Sequence, residues 1–243
     1  MSARPATDRP AADKGTYVRE MFARIAPRYD IANRVISAGM DESWRRKAIS
    51  VLRPPRGSHI LDLCCGTGDI AFALLRTDPS LRVTGADFCE PMLAAARTRA
   101  MRSGQRRVEF VDADAMSLPF ADSSFDGATM GFSMRNVVDI DRVLHEVRRV
   151  LHPRARFVNL DMSKAPNRLW KGLFDIYFYG VVPLIGGMVG GSRQAYTYLP
   201  NSLTHHPNAE QLRERFERAG FQNTGFVRLM GGSIAIHYGD APA

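Results

Sequence analysis

Two glycines, Gly66 and Gly68, stand one residue apart at the end of an apolar run, with Asp62 before them and Asp69 after them. The stretch LDLCCGTGD reads as a buried strand, a tight turn and the start of a helix. Glycine lets the backbone turn sharply and lets a ligand approach where a Cβ would clash. The backbone N–H groups that open the helix add a polar rim to such a cradle. Gly66-x-Gly68-x-x-Ala71 also satisfies the loose dinucleotide fingerprint. Asp87 ends the next strand, at the roughly twenty-residue separation that a ribose-binding carboxylate needs. Asp114 ends a third, where it can accept from an adenine amino group while the N–H of Ala115 meets a ring nitrogen.

Asp62, Asp69, Asp87 and Asp114 gathered around one cleft disfavour a pyrophosphate. They favour a nucleoside that carries a cationic tail and no phosphate, which describes S-adenosylmethionine. Asp62, nearest the turn, either orders the loop or meets an ammonium.

The elements that must position these residues alternate between helical and strand periodicity. Tyr17 to Ile25 and Ile31 to Leu52 read as helical, broken at Pro27, and RPPRGS at 53–58 ends that preamble. Strands are expected at 59–64, 82–87, 107–114, 125–133 and 156–162. Helices are expected at 69–76, 90–101 and 139–151, with Pro153 just past the last. NAEQLRERFERAG at 208–220 has Asn208 as its cap, Gln211 three residues on and Gly220 at its end. QNTGFVRLM and GSIAIHYG form a hairpin through Gly231-Gly232. The expected fold class is α/β: a Rossmann-like, seven-stranded, mostly parallel sheet with helices on both faces and an antiparallel C-terminal hairpin strand. Ligands then bind beyond the carboxyl ends of the strands. One domain is expected over 15–243, with a helical cap at 15–52, an aromatic, then glycine-rich insertion at 163–206, and a disordered tail at 1–14.

The 243 residues carry a net charge of +8, almost all of the positive charge being arginine. A basic surface suits nucleic acid or an anionic membrane, and it also follows from a genome rich in arginine codons. The tail lacks the apolar core of a signal peptide, and its acidic residues argue against a transit peptide. No run of eighteen or more apolar residues stands out, so no membrane-spanning helix is expected. Cys64, Cys65 and Cys89 have no metal-ligand spacing and read as small buried residues in a reducing cytoplasm, so no metal is expected.

The motifs resemble a known group. D-x-C-x-G-T-G, then A-D, then V-D-A-D-A are similar to the class I methyltransferases. MFARIAPRYD, ISAGMDESWRR, ADFCEPML, GFSMRNV, SKAPN and YTYLPNSL follow in the order of the ubiquinone/menaquinone biosynthesis C-methyltransferases, from about Met21 to Gly239. The resemblance implies C-methylation of a polyprenylated quinol, with cofactor contacts at Thr67, Asp87, Asp114, Ala115 and Gly131. The Cys-Cys form of the turn is closer to the menaquinone members. Departures are Asp41 where histidine is frequent, HPRARF after the helix at 139–151, Asp161 for a common glutamate, and Gly131 where some relatives have serine.

In that reading Arg135 and Asn136 sit where a phenolate needs stabilising, and arginine, which stays protonated, serves as stabiliser or water organiser rather than base. Tyr29 and Asp30 either meet the ring or pack the cap. Trp170, Phe174, Tyr177 and Phe178 recur at helical spacing and suit an isoprenoid tail, a membrane surface, the core or a homodimer interface. Quinone-pathway enzymes are further expected partners. A nicotinamide dehydrogenase accounts for the glycine turn and Asp87 but not for Asp114. Nucleic acid is not an expected substrate, because GFSMRN stands in place of an Asp/Asn-Pro-Pro-aromatic motif and no Pro-Cys nucleophile is present.

Overall fold

The computed structural model describes residues 11–189, 195, 198, 202–204 and 206–243. Helices α1 (Ala11–Ile25), α2 (Tyr29–Ile36) and α3 (Met40–Leu52) precede the sheet, with a 3-10 turn at Ala26–Arg28. Helix therefore begins inside the segment expected as tail; residues 1–10 of that segment lie outside the described residues. The helix expected over 31–52 is two helices. Ala38 (φ +50°) and Gly39 (φ +76°) break it, and the Ser37 and Gly39 N–H groups return to carbonyls of α2.

The sheet follows the expected alternation: β1 (His59–Leu63), α4 (Asp69–Thr77), β2 (Arg82–Asp87), α5 (Glu90–Arg102), β3 (Val108–Asp112), β4 (Phe125–Gly131), α6 (Ile140–Val150) and β5 (Leu151–Met162). After α7 (Arg168–Asp175), a π-helical turn (Ile176–Val181) and α8 (Val182–Val189) come α9 (Ala209–Arg218), β6 (Gln222–Leu229) and β7 (Ile234–Asp240). The seven strands are ordered β3-β2-β1-β4-β5-β7-β6. All neighbours are parallel except that β7 runs against both β5 and β6.

Alternating side chains send each strand into two cores. Leu61, Leu63, Ala128, Met130 and Phe157 pack with α6 and α9; Ile60, Val83, Val158 and Leu160 pack with α3 and α4. Such period-two sorting is what a sheet covered on both faces demands. Local signals set the helix ends. The Asp139 side chain accepts from the Arg142 N–H at the start of α6, and Asn208 and Gln211 form a reciprocal capping box on α9. The strand expected at 156–162 begins earlier, at Leu151, and Pro153 stands past the end of α6 as expected. It lies inside β5, where pairing with β4 jumps from Phe125–Leu151 to Gly127–Arg156, a bulge that takes a residue without a backbone N–H.

A third core joins the cap to the insertion: Val18, Met21, Ile25 and Ala32 pack with Phe178, Val182, Tyr198 and Leu203. The helical run Leu169–Val189 is long and apolar enough, by length and composition alone, to cross a membrane, with a mean hydropathy of 1.5. That corrects the sequence expectation. Its Phe178 is nonetheless buried in the third core, so one face of the run belongs to the protein. Tyr196 and most of the remaining YTYLPNSL motif lie outside the described residues; Tyr198 is helical and buried.

Candidate active site

The turn after β1 is built on left-handed backbone. Cys64, Gly66 and Gly68 have φ of +51°, +55° and +85°, so Cys64 sits where glycine costs nothing and another residue is strained by roughly 1–2 kcal/mol. A Cβ added to Gly66 would meet no protein atom within 4 Å, whereas one on Gly68 would lie 2.9 Å from Phe72 and 3.0 Å from Phe110. Gly66 thus borders open space, and Gly68 serves close packing at the start of α4.

Beyond the tips of β1, β2 and β4 lies a cavity of about 530 Å³. Gly66, Asp87, Asp114, Ala115 and Asn136 line it, with Phe88, Met92 and Met116 as apolar walls. Asp87 is buried; its Oδ2 accepts from the Gly66 N–H (2.8 Å) and its Oδ1 from the Cys89 N–H (2.9 Å). Burial pushes its carboxyl up, and those N–H groups oppose the shift. Asp114 is exposed at the rim, two residues past the end of β3 rather than on it, and accepts from the Met116 N–H (2.9 Å). Asn136 is buried, and its Oδ1 has no partner. An open glycine wall, carboxylates with spare lone pairs, apolar faces and an orphaned amide oxygen fit a nucleoside with a cationic tail. Phe88, which adjoins Asp87 at a strand tip, was not singled out from sequence, although a flat apolar residue there is a natural ring wall.

Other expected contacts lie elsewhere. Asp62, Thr67 and Gly131 line a separate cavity of about 30 Å³ that shares Tyr29, Cys64 and Gly66 with the larger one, together with Asp69. Asp62 is buried; Oδ1 accepts from the Thr129 hydroxyl (2.8 Å) and Oδ2 from the Ala71 N–H (3.0 Å). It therefore orders the turn, and burial raises its pKa to about 7. Thr67 donates to Asp30 Oδ1 (2.6 Å), tying the cap to the turn. Asp69 is paired with Arg45 (2.9 Å) and Arg99 (2.6 Å). Asp139 joins Asp87 and Asp114 around the larger cavity, so the ring of four aspartates expected around one cleft is divided between two spaces.

A third cavity, of about 410 Å³, is mainly apolar, with Asn33, Ser37, Asp41, Arg45 and Arg135 as its polar residues. Met21, Trp44, Phe132, Trp170, Phe174 and Tyr177 contribute to its wall. Phe22 and Tyr29 line both this cavity and the 530 Å³ one. Burial raises the Tyr29 hydroxyl, against a hydrogen bond to Asn33 and the charges of Arg135 and Arg45. Asp41 stands in the same wall. Burial pushes its carboxyl up, but the Ser37 hydroxyl (2.7 Å) and Arg45 together bring it below its ordinary value.

Arg135 also lines this cavity, in the turn that follows β4. Asp161, on β5, accepts from its backbone N–H (3.2 Å) and from its guanidinium Nη1. Nη1 further donates to the Phe132 carbonyl (2.6 Å), while the buried Nε has no partner. Arg135 and Asn136 are thus adjacent in sequence but face different cavities. Tyr198 and His206 are buried nearby. Burial lifts the Tyr198 hydroxyl to about 12 and lowers His206 to about 4, and both feel the charge of Arg135.

A seven-stranded sheet of this order, with its cleft beyond a glycine turn and an acidic second strand tip, defines a class I S-adenosylmethionine-dependent methyltransferase. Solved structures agree at the level of fold. The [4+2]-cyclase SpnF has a TM-score of 0.69 at 20% identity, over 93% of this chain and 95% of that one. Phosphoethanolamine N-methyltransferase 2 of Haemonchus contortus has a TM-score of 0.64 at 16% identity, over 88% and 56%. The model of the ubiE/COQ5 methyltransferase family matches residues 11–241, and the chain belongs to that family. It is 42% identical to a demethylmenaquinone methyltransferase of Thermus thermophilus over 91% of this chain and 100% of the relative. It is 40% identical to the ubiquinone/menaquinone biosynthesis C-methyltransferase UbiE of Paracoccus denitrificans over 93% and 91%.

Proposed function

We propose that the chain transfers a methyl group from S-adenosylmethionine to a ring carbon of demethylmenaquinol, giving menaquinol. The observation that carries this reading is the partition: a polar cleft and an apolar chamber meet at Phe22 and Tyr29, with buried Arg135 on the apolar side. The family match and the demethylmenaquinone methyltransferase names of several relatives support the acceptor. In this reading Asp87 accepts from the ribose, Asp114 and the Ala115 N–H hold the adenine, and Gly66 leaves room for the backbone to approach. Asp62, Thr67, Gly68 and Gly131 shape the turn around the amino-acid tail. Helices α1 and α2 serve as a cap, and the segment from α7 onward roofs the acceptor.

Bound S-adenosylmethionine supplies an electrophilic methyl carbon. The chain's own work is to place the acceptor, exclude water and stabilise negative charge on the ring. A quinol carbon becomes a strong nucleophile when the adjacent hydroxyl loses its proton. Arg135, whose Nε–H is unpaired and whose charge is fixed by Asp161, stabilises the phenolate oxygen and lowers the cost of forming it. The hydroxyl proton would pass to water; the new carbon–carbon bond would form as the carbon–sulfur bond breaks, and the ring carbon would then lose its proton to water while the oxygen takes one back, so that one proton is released overall and the product is the quinol. Asn136 bridges from the same turn to the donor side. Tyr29, kept protonated by burial, donates across the partition.

The polyprenyl tail dissolves in membrane, so the reading extends to action at the cytoplasmic face of a bilayer. The Paracoccus relative's name supports a second acceptor, the benzoquinol precursor of ubiquinone. Strains lacking each quinone methyltransferase, complemented with this gene and examined by mass spectrometry of lipid extracts, separate the two. Rescue of menaquinone alone is the expected result; rescue of neither rejects the proposal.

A further inference from the structure

Helices α2 and α8 pack together through Ala32, Ile36, Val182 and Val189. Their other faces carry large apolar side chains in solvent, on α2 beside the exposed Asp30 and Arg34. Ile31 and Val35 on α2 are 61% and 45% exposed, and Ile176, Tyr179, Leu184 and Met188 are 71%, 50%, 54% and 83% exposed. A group of large side chains this open is unusual on a soluble surface and marks a contact. Helix α8, VPLIGGMV, carries no charge at all.

The apolar chamber opens beside this face. Ala38, in the turn that leaves α2, and Met40, at the start of α3, both line the chamber and reach solvent. At about 410 Å³ the chamber is near the small end of ligand pockets, roughly 300–1,000 Å³. It holds a ring and the start of a tail, so a long isoprenoid chain must continue past the mouth. An apolar chain leaves a protein at low cost only into an apolar phase. Arg28, in the 3-10 turn just before α2, and Arg34, on α2, are exposed next to Ile31 and Val35. Cations beside an apolar helix face suit anionic headgroups. The same fringe would meet itself, like charge to like, if a second copy covered the face.

We propose that the exposed apolar face of α2 and residues 176–189 docks on an anionic bilayer, with the mouth of the 410 Å³ chamber turned toward the lipid. The helical run Leu169–Val189 then lies in the interface with one face on the protein rather than spanning the membrane. The inference rests on the polyprenylated acceptor proposed above. It assigns the route by which that acceptor enters.

The test uses the full-length protein and vesicles of phosphatidylglycerol with phosphatidylcholine, or of phosphatidylcholine alone, in co-sedimentation. The wild type should partition onto the anionic vesicles. Leu184→Glu/Met188→Glu should lower that partition by about tenfold or more while methylation of a soluble, tail-less demethylated quinol stays at the wild-type level. Ile31→Glu, on the other helix, repeats the measurement in case the double variant misfolds. Wild type that ignores vesicles, or variants that bind them equally, overturns the proposal. So does a variant that turns a dimer into a monomer with vesicle binding intact, because a second copy then owns the face. If vesicle binding follows the expected pattern but no quinol is methylated, the acceptor reading fails and the docking face stands.

Discussion

Asp161 holds Arg135 at two points, the backbone N–H and the guanidinium, and both side chains are almost wholly out of water. A carboxylate so placed sets where the arginine's charge lies. Asp161→Asn should lower kcat by about a hundredfold with little change in KM, since in the proposed reaction the charge is needed most as negative charge builds on the ring. Asp161→Ala strands a buried cation and should cost about 3–5 kcal/mol of stability in urea unfolding. Arg135→Lys keeps charge but cannot span Asp161 and the Phe132 carbonyl together, so it should resemble Asp161→Asn in its kinetics.

Asp87 ties the cleft's floor together through Gly66 and Cys89. Asp87→Ala should weaken S-adenosylmethionine binding by about 1.5–3 kcal/mol, the scale of a charged hydrogen bond. Asp87→Asn should fall between it and the wild type. Isothermal calorimetry reads both, and unchanged affinity in the alanine variant would discard the ribose assignment.

Burial keeps two histidines uncharged: His206 and His237 are each lowered to about 4 from an ordinary 6.5. The unfolded chain takes up protons first as pH falls. Their contribution to stability is complete above about pH 6.5 and is lost as pH drops through 4. The slope is at most about 1.4 kcal/mol per pH unit for each histidine. Urea midpoints between pH 7 and 4.5 should fall accordingly, and His206→Phe or His237→Phe should flatten the curve.

Asp62 has the opposite sign. Its pKa rises to about 7 in the folded chain, so it costs nothing below the ordinary carboxylate range, and the cost grows as pH climbs from there to about 7 and is level above it. A cationic donor next to the turn favours the ionised form. Its binding near pH 7 should therefore release a fraction of a proton, visible as a binding enthalpy that varies with the ionisation enthalpy of the buffer. Asp62→Asn should abolish that dependence.

Gly68→Ala should destabilise by more than about 2 kcal/mol, because left-handed backbone and contact with two phenylalanine rings act together. Gly57→Ala, with similar φ but open space around it, should lose only about 1–2 kcal/mol. Thermal melts of the two variants separate backbone strain from packing.

The strand-and-helix alternation was legible because period-two and helical patterns are local, and the caps at Asp139 and Asn208 are written in adjacent residues. The glycine turn and Asp87 were legible for the same reason. What the sequence hid was mostly long-range. Asp69 looks like a cleft residue until Arg45 and Arg99, from other elements, claim it. Asp161 looked like a conservative departure from glutamate until β5 brought it beside Arg135. The break at Ala38 and Gly39 was missed because the helical spacing runs on across it, and the early start of β5 was missed because a proline is tolerated there only at a bulge that the β4 pairing creates. The membrane-length helical run was missed because its charges lie near its start and its glycines dilute the apolar count.

Phe22 and Tyr29 are common to two chambers, and they belong to segments before the first strand. A movement of either aromatic alters the volume on one side at the expense of the other. Were either ring to move on filling of one compartment, the work of filling its neighbour would change, and by thermodynamic reciprocity the influence would be equal in both directions. The wall between the two compartments is thus a pair of rings that the sheet itself does not supply.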